Sequence, residues 1–119
     1  MAKILLAEDD DSMRHFLGRA LERAGHEVFS VGQGDEALPV LAEGRFDLLL
    51  ADIVMLEMDG IELARRAVAV DPGIRIMFIT GFAAVALRNR QTSQSDAKVL
   101  SKPFHLRDLV DEIDKTLAA

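Results

Sequence analysis

The 119 residues, half of them hydrophobic, suffice for one compact domain with a real core and are too few for two. Twenty acidic against 14 basic residues leave a formal net charge of −6, which argues against nucleic acid as a partner, because binding a phosphate backbone needs a clustered cationic excess. Cysteine is absent, which rules out disulfide and thiolate chemistry, and the opening MAKILLAEDD turns acidic too early for a signal peptide or a membrane span, so a cytoplasmic protein with no membrane partner is expected.

In chain order, Ile4 to Ala7 is a short apolar run that ends in Glu8, Asp9, Asp10 and Asp11, the pattern of a buried strand with a charged end. Met13, Phe16, Leu17, Ala20, Leu21 and Ala24 then recur three and four apart, which predicts an amphipathic helix with Asp11 as N-cap and Gly25 as its stop. The alternation continues with a strand over Val28 to Val31, a helix over Asp35 to Ala42, a strand over Phe46 to Ala51 and a helix over Ile61 to Val70. A strand over Ile76 to Thr80, a weaker helix near Phe82 to Leu87 and a strand over Val99 to Ser101 follow. The last helix carries Leu106, Leu109, Val110, Ile113 and Leu117. Pro39 lies beyond the first turn of its helix and is expected to bend or shorten it. The polar stretch from Arg88 to Asp96 reads as a mobile loop.

Solid apolar strands separated by crossover helices predict an α/β fold. Its sheet is parallel, five-stranded, of flavodoxin-like order 2-1-3-4-5, and covered by helices on both faces as one domain, residues 1–119, with no output domain. Ligands of such sheets sit beyond the carboxyl ends of the strands, where the strand order reverses. The first strand ends there in Glu8 and Asp9, the third in Asp52, the fourth in Thr80 and Gly81, and the fifth in Ser101, Lys102 and Pro103. Crowded carboxylates repel one another, which either raises a pKa or recruits a cation between them. An all-oxygen donor set without paired His or Cys suits a hard ion, Mg²⁺ or Mn²⁺, better than zinc.

The segments ILLAEDDDSMR, LLLADIVMLEMDG, IMFITG and VLSKPF resemble the signature segments of bacterial two-component response-regulator receiver domains, over nearly the whole chain. The resemblance implies that Asp52 accepts a phosphoryl group from a sensor histidine kinase or a histidine phosphotransfer protein. It also implies that Asp9 and Asp52 hold the metal together with the backbone carbonyl of Val54, with Glu8 as a supporting acid, and that Thr80 and Lys102 contact the phosphate. It implies a signalling module rather than an enzyme, with at most slow self-dephosphorylation, and a Lys102-Pro103 bond that receivers typically hold cis. MAKILLAEDDDSMR, GFAAVAL and AKVLSKPFHLRDLV further resemble stand-alone receivers that act as adaptors for the ClpXP protease and its substrates. The ending Leu117-Ala118-Ala119 resembles tags read by that protease, on a terminus expected to fray.

Two positions depart from the family pattern. Leu56 stands where receivers usually carry proline, which predicts a looser loop after Asp52, and Val99 stands where many have an aromatic switch residue. Phe82 and Phe104 read first as core, as do the gap-filling Met55 and Met58, and His15, His26 and His105 as surface or local capping residues. Other functions fit less well. A phosphohydrolase with Asp52 as nucleophile wants a general acid two residues later, where the chain has Val54. A flavodoxin-type binder wants a Ser/Thr/Gly-rich loop where it has Glu8 and Asp9. A chemotaxis- or phosphorelay-type receiver with another protein target, or a pseudo-receiver that binds partners without phosphorylation, remains the alternative.

Overall fold

A computed structural model describes residues 2–55, 58–80, 98–101 and 104–118. The elements are β1 (Lys3–Ala7), α1 (Asp11–Arg23), β2 (Glu27–Val31), α2 (Gly34–Glu43), β3 (Leu48–Asp52), α3 (Gly60–Val70), β4 (Arg75–Thr80), β5 (Lys98–Ser101) and α4 (Leu106–Ala118). The strands form one parallel sheet of order β2-β1-β3-β4-β5, the flavodoxin-like order that the alternating pattern predicts. The helix expected near Phe82 to Leu87 and the loop from Arg88 to Asp96 lie outside the described residues, as do Leu56, Gly81, Lys102, Pro103 and Ala119.

Side chains that alternate along the central strands feed two separate cores, one on each face of the sheet. Leu5, Leu49, Ala51 and Phe78 pack with Leu41 of α2 and Leu63, Ala64 and Ala67 of α3. Ile4, Leu6, Leu48, Leu50, Met77 and Ile79 pack with Leu17 and Leu21 of α1 and Leu109 and Ile113 of α4. The whole of β3 is buried, whereas β2, at one edge, is largely exposed, so the solid apolar runs mark the interior strands. Met55 is buried, and Met58 and Phe104 are partly buried against these cores, as their reading as packing residues requires; Val99, which departs from the family's aromatic, is partly buried there too.

Four local expectations need correction. Asp10, not Asp11, caps α1: its carboxylate accepts the Met13 N–H at 2.8 Å, while Asp11 is the first helical residue and pairs with Arg14. Phe16 is 54% exposed, because the buried arc of α1 centres on Leu17, Gly18 and Leu21, and at 3.6 residues per turn Phe16 falls on the far side; Ala24 is exposed as well. Strand β3 begins at Leu48 rather than Phe46, although Phe46 is still buried, edge-on to Phe29 at 5.6 Å with the Lys3 ammonium over both rings. His26 is not a surface residue. Its ring is nearly buried, Nδ1 accepts the Ala2 N–H at 3.1 Å, and Nε2 lies 3.7 Å from Asp114 of α4.

Gly25 does stop α1: it has φ +100°, its N–H donates to Glu22, and the next N–H, of His26, donates to Leu21. Helix α2 runs through Pro39 to Glu43 and is not shortened. The donor that Pro39 lacks would have served the carbonyl of Asp35, which sits on the exposed first turn where water can replace it.

Candidate phosphoacceptor and metal site

Strand register brings the acidic ends together. Ala7 of β1 is level with Ala51 of β3, and Asp52 is level with Ile79 of β4, so Glu8 and Asp9 emerge beside Asp52 and Thr80 follows one residue beyond. Thr80 in turn is level with Ser101 of β5, after which the chain continues to Lys102. The ladder extends past the strand ends: the Glu8 N–H donates to Val31 at 3.1 Å and the Ile53 N–H to Ile79 at 3.0 Å.

Glu8, Asp9 and Asp52 each offer a carboxylate oxygen, and these oxygens lie within 4.8 Å of one another. Glu8 and Thr80 are fully buried, Asp52 is 5% exposed and Asp9 is half-buried, so the cluster has a dry floor and a wetter rim. Such an all-oxygen set, with one acid open to solvent, fits a small hard cation that keeps part of its water shell. The fit rests on oxygen donors within one ion's reach and on burial that strengthens their mutual repulsion.

Local hydrogen bonds aim these groups. Asp52 Oδ1 accepts the Val54 N–H at 3.0 Å, a turn that bends the chain just past Asp52. Glu8 Oε2 accepts the Asp10 N–H at 3.1 Å, and Asp10 caps α1, so the helix start is tied to the acidic floor. Arg14, which sequence reasoning did not single out, donates from Nη1 to the Glu8 carbonyl at 2.9 Å and from Nη2 to Asp11 at 2.6 Å. Its i,i+3 spacing from Asp11 was visible in the sequence, whereas its reach back to Glu8 depends on how α1 leaves the strand. A cleft of about 600 Å³ walled by Asp9, Arg14, Gly32 and Glu36 opens beside the cluster.

Of the residues predicted for the site, Glu8, Asp9, Asp52 and Thr80 converge, and Val54 stands on the loop next to Asp52 with its side chain exposed. Lys102 lies outside the described residues, next in sequence to the end of β5. Gly60, to which the sequence reading gave no role, packs so tightly that a Cβ there would lie 2.3 Å from the Asp52 carbonyl oxygen. No periodicity reports such a contact.

Residues 4–114 match the response regulator receiver domain model. The chain is 63% identical over all 119 residues to the response regulator receiver protein CpdR of Brucella abortus, covering 99% of that protein. A CheY-like response regulator receiver domain protein of Methanospirillum hungatei superposes with a TM-score of 0.89 at 28% identity, over 99% of this chain and 94% of the other. The response regulator TrrA of Thermotoga maritima, solved in complex with Mg²⁺-BeF, superposes with a TM-score of 0.86 at 26% identity, over 98% and 99% of the two chains. Among the described residues no helix is long and apolar enough to cross a membrane. With its strand order, its convergent acidic strand ends and these matches taken together, the chain belongs to the response regulator receiver domain family.

Proposed function

We propose that this chain is a cytoplasmic phosphoacceptor switch that receives a phosphoryl group on Asp52 from a sensor histidine kinase or a histidine phosphotransfer protein and acts through its surface as one receiver unit. The observation that carries the reading is the cluster of buried Glu8 and Asp52 with half-buried Asp9, its oxygens within 4.8 Å of one another at the reversal of strand order. In the transfer an Asp52 oxygen attacks the phosphorus of a phosphohistidine, an O–P bond forms, and the N–P bond breaks as the imidazole leaves. Asp9 and Asp52, with the Val54 carbonyl and Glu8 in support, would hold Mg²⁺ or Mn²⁺, which when bound supplies positive charge against the transferred oxygens. The Val54 N–H donates to Asp52 Oδ1 and so helps to orient the carboxylate that reacts. Thr80 offers a hydroxyl donor at the end of β4, and Lys102 a cation for the equatorial oxygens. No acid stands two residues after Asp52 to protonate a leaving group, which favours a stable phosphoprotein with at most slow self-dephosphorylation over a turnover enzyme.

The output we propose is regulated partner binding, with the ClpXP protease and its substrates as the target, on the strength of the adaptor-like segments 1–14, 81–87 and 97–110. Labelling by acetyl phosphate should require Mg²⁺ and should vanish in Asp52→Asn. Pull-down from lysate with and without beryllofluoride should then change capture of the protease. Labelling that persists in Asp52→Asn removes the acceptor assignment, and a protease fraction indifferent to beryllofluoride and to Asp52→Asn removes the regulated adaptor output.

A further inference from the structure

Two glycines flank the loop after Asp52, and neither is there for its backbone angles. Among the described residues only Gly25 has positive φ, so Gly34 and Gly60 adopt conformations open to any residue. Both sit in the first turn of a helix, where alanine would be the better helix former. What they share is close approach to the same loop. The Gly60 N–H donates to the Ile53 carbonyl at 2.8 Å and closes the loop's base, while a Cβ at Gly34 would lie 2.9 Å from Met58 Cβ and 3.0 Å from the Met58 carbonyl oxygen. The base is therefore fastened to β3 and the far limb rests on the start of α2.

We propose that Gly34 is a positioning residue for the proposed acceptor site, setting through Met58 the height of the loop that carries Val54 and hence the aim of Asp52. The proposal rests on the metal and acceptor reading given above. A methyl group at position 34 has to displace Met58 by several tenths of an ångström, and Met58 is joined to the Val54 N–H that holds Asp52 Oδ1 through Asp59, the Gly60 N–H bond to the Ile53 carbonyl and the Ile53–Val54 peptide.

The test compares Gly34→Ala, Met58→Gly and the double variant with the parent, all as the full chain, by circular dichroism, by amide hydrogen exchange without metal, and by Mg²⁺ titration. Gly34→Ala should keep its helical signal, speed exchange at the Val54 amide and weaken Mg²⁺ binding by about tenfold, the cost typical of disturbing a supporting contact around a metal site. In the Met58→Gly background, which removes the two side-chain contacts and keeps the carbonyl at 3.0 Å, the same substitution should do less. Unchanged Val54 exchange in Gly34→Ala, or an equal loss in the two backgrounds, overturns the proposal. If the parent itself fails to bind Mg²⁺, the metal reading falls, and the exchange arm decides the role of Gly34 by itself.

Discussion

Asp52→Asn should make the metal-free protein more stable, and the structure says by how much. Two unit charges 4.8 Å apart repel by roughly 0.9 kcal/mol in bulk water and by roughly 3.5 kcal/mol at an effective dielectric constant of about 20. The substitution removes the repulsion of Asp52 with both Glu8 and Asp9, so the gross gain lies between roughly 2 and 7 kcal/mol. Asparagine keeps an oxygen for the Val54 N–H, but a neutral acceptor makes a weaker bond, a loss of about 1 kcal/mol. Attraction to cations around the site is lost too, which leaves a net gain of about 1–3 kcal/mol. For a domain of this size each kcal/mol moves the melting point by roughly 3–6 °C. Calorimetry in EDTA should therefore show Asp52→Asn melting at least about 3 °C above the parent. On adding Mg²⁺ the order should close or reverse, since saturation at a hundred times the dissociation constant stabilises the parent by about 2.7 kcal/mol and the variant far less. A variant that melts below the parent in EDTA, or that keeps the full Mg²⁺ shift, would refute the account of a repulsive cluster relieved by a cation.

Other expectations follow from single contacts. Asp10→Ala should cost about 1 kcal/mol by chemical denaturation, as loss of an N-cap does, whereas Asp11→Ala removes an exposed ion pair and should cost no more than about 0.5 kcal/mol. Lys102→Ala should leave Mg²⁺ affinity within about twofold but slow labelling by acetyl phosphate by at least about tenfold, because the role proposed for its charge is to offset the phosphoryl oxygens and not to hold the cation. Equal labelling rates would take Lys102 out of the site. The Arg66 hydrogen bond holds the Glu62 carboxyl below its ordinary value, helped by the charges of Arg65 and Arg66 and opposed by burial. A depressed carboxyl stabilises the fold above its unfolded-state value and loses that contribution as pH falls through the folded one. NMR titration of Arg66→Ala should accordingly show Glu62 protonating at higher pH than in the parent, and an unmoved Glu62 would rule out the arginine as the cause.

The parallel sheet was legible because each interior strand is a solid apolar run, and the site was legible because a parallel topology sends every strand's last residue to the same edge. Glu8, Asp9, Asp52 and Thr80 could be placed from those two facts. What escaped were matters of rotation and of distant contact. In the run from Glu8 to Asp11 any acid could have capped the helix, and only the angle at which α1 leaves β1 selects Asp10. Phe16 has the spacing of a core residue, but the spacing does not say where the buried arc is centred. The partners of His26 lie 24 residues before it, at Ala2, and on α4, at Asp114, and the clearances at Gly34 and Gly60 are set by other elements. Local pattern carries no record of any of these.

The division of the interior by the sheet has a consequence for how such a chain can diverge. Leu17, Leu21, Leu109 and Ile113 meet only their own side, and Leu41, Leu63, Ala64 and Ala67 only theirs. A change of side-chain size under α1 and α4 can be compensated there without disturbing the packing under α2 and α3. The acidic edge is anchored in the strands common to both halves, so it keeps its geometry while either flank is remodelled. One flank can thus acquire a new docking partner over successive substitutions while the chemistry at Asp52 stays the same.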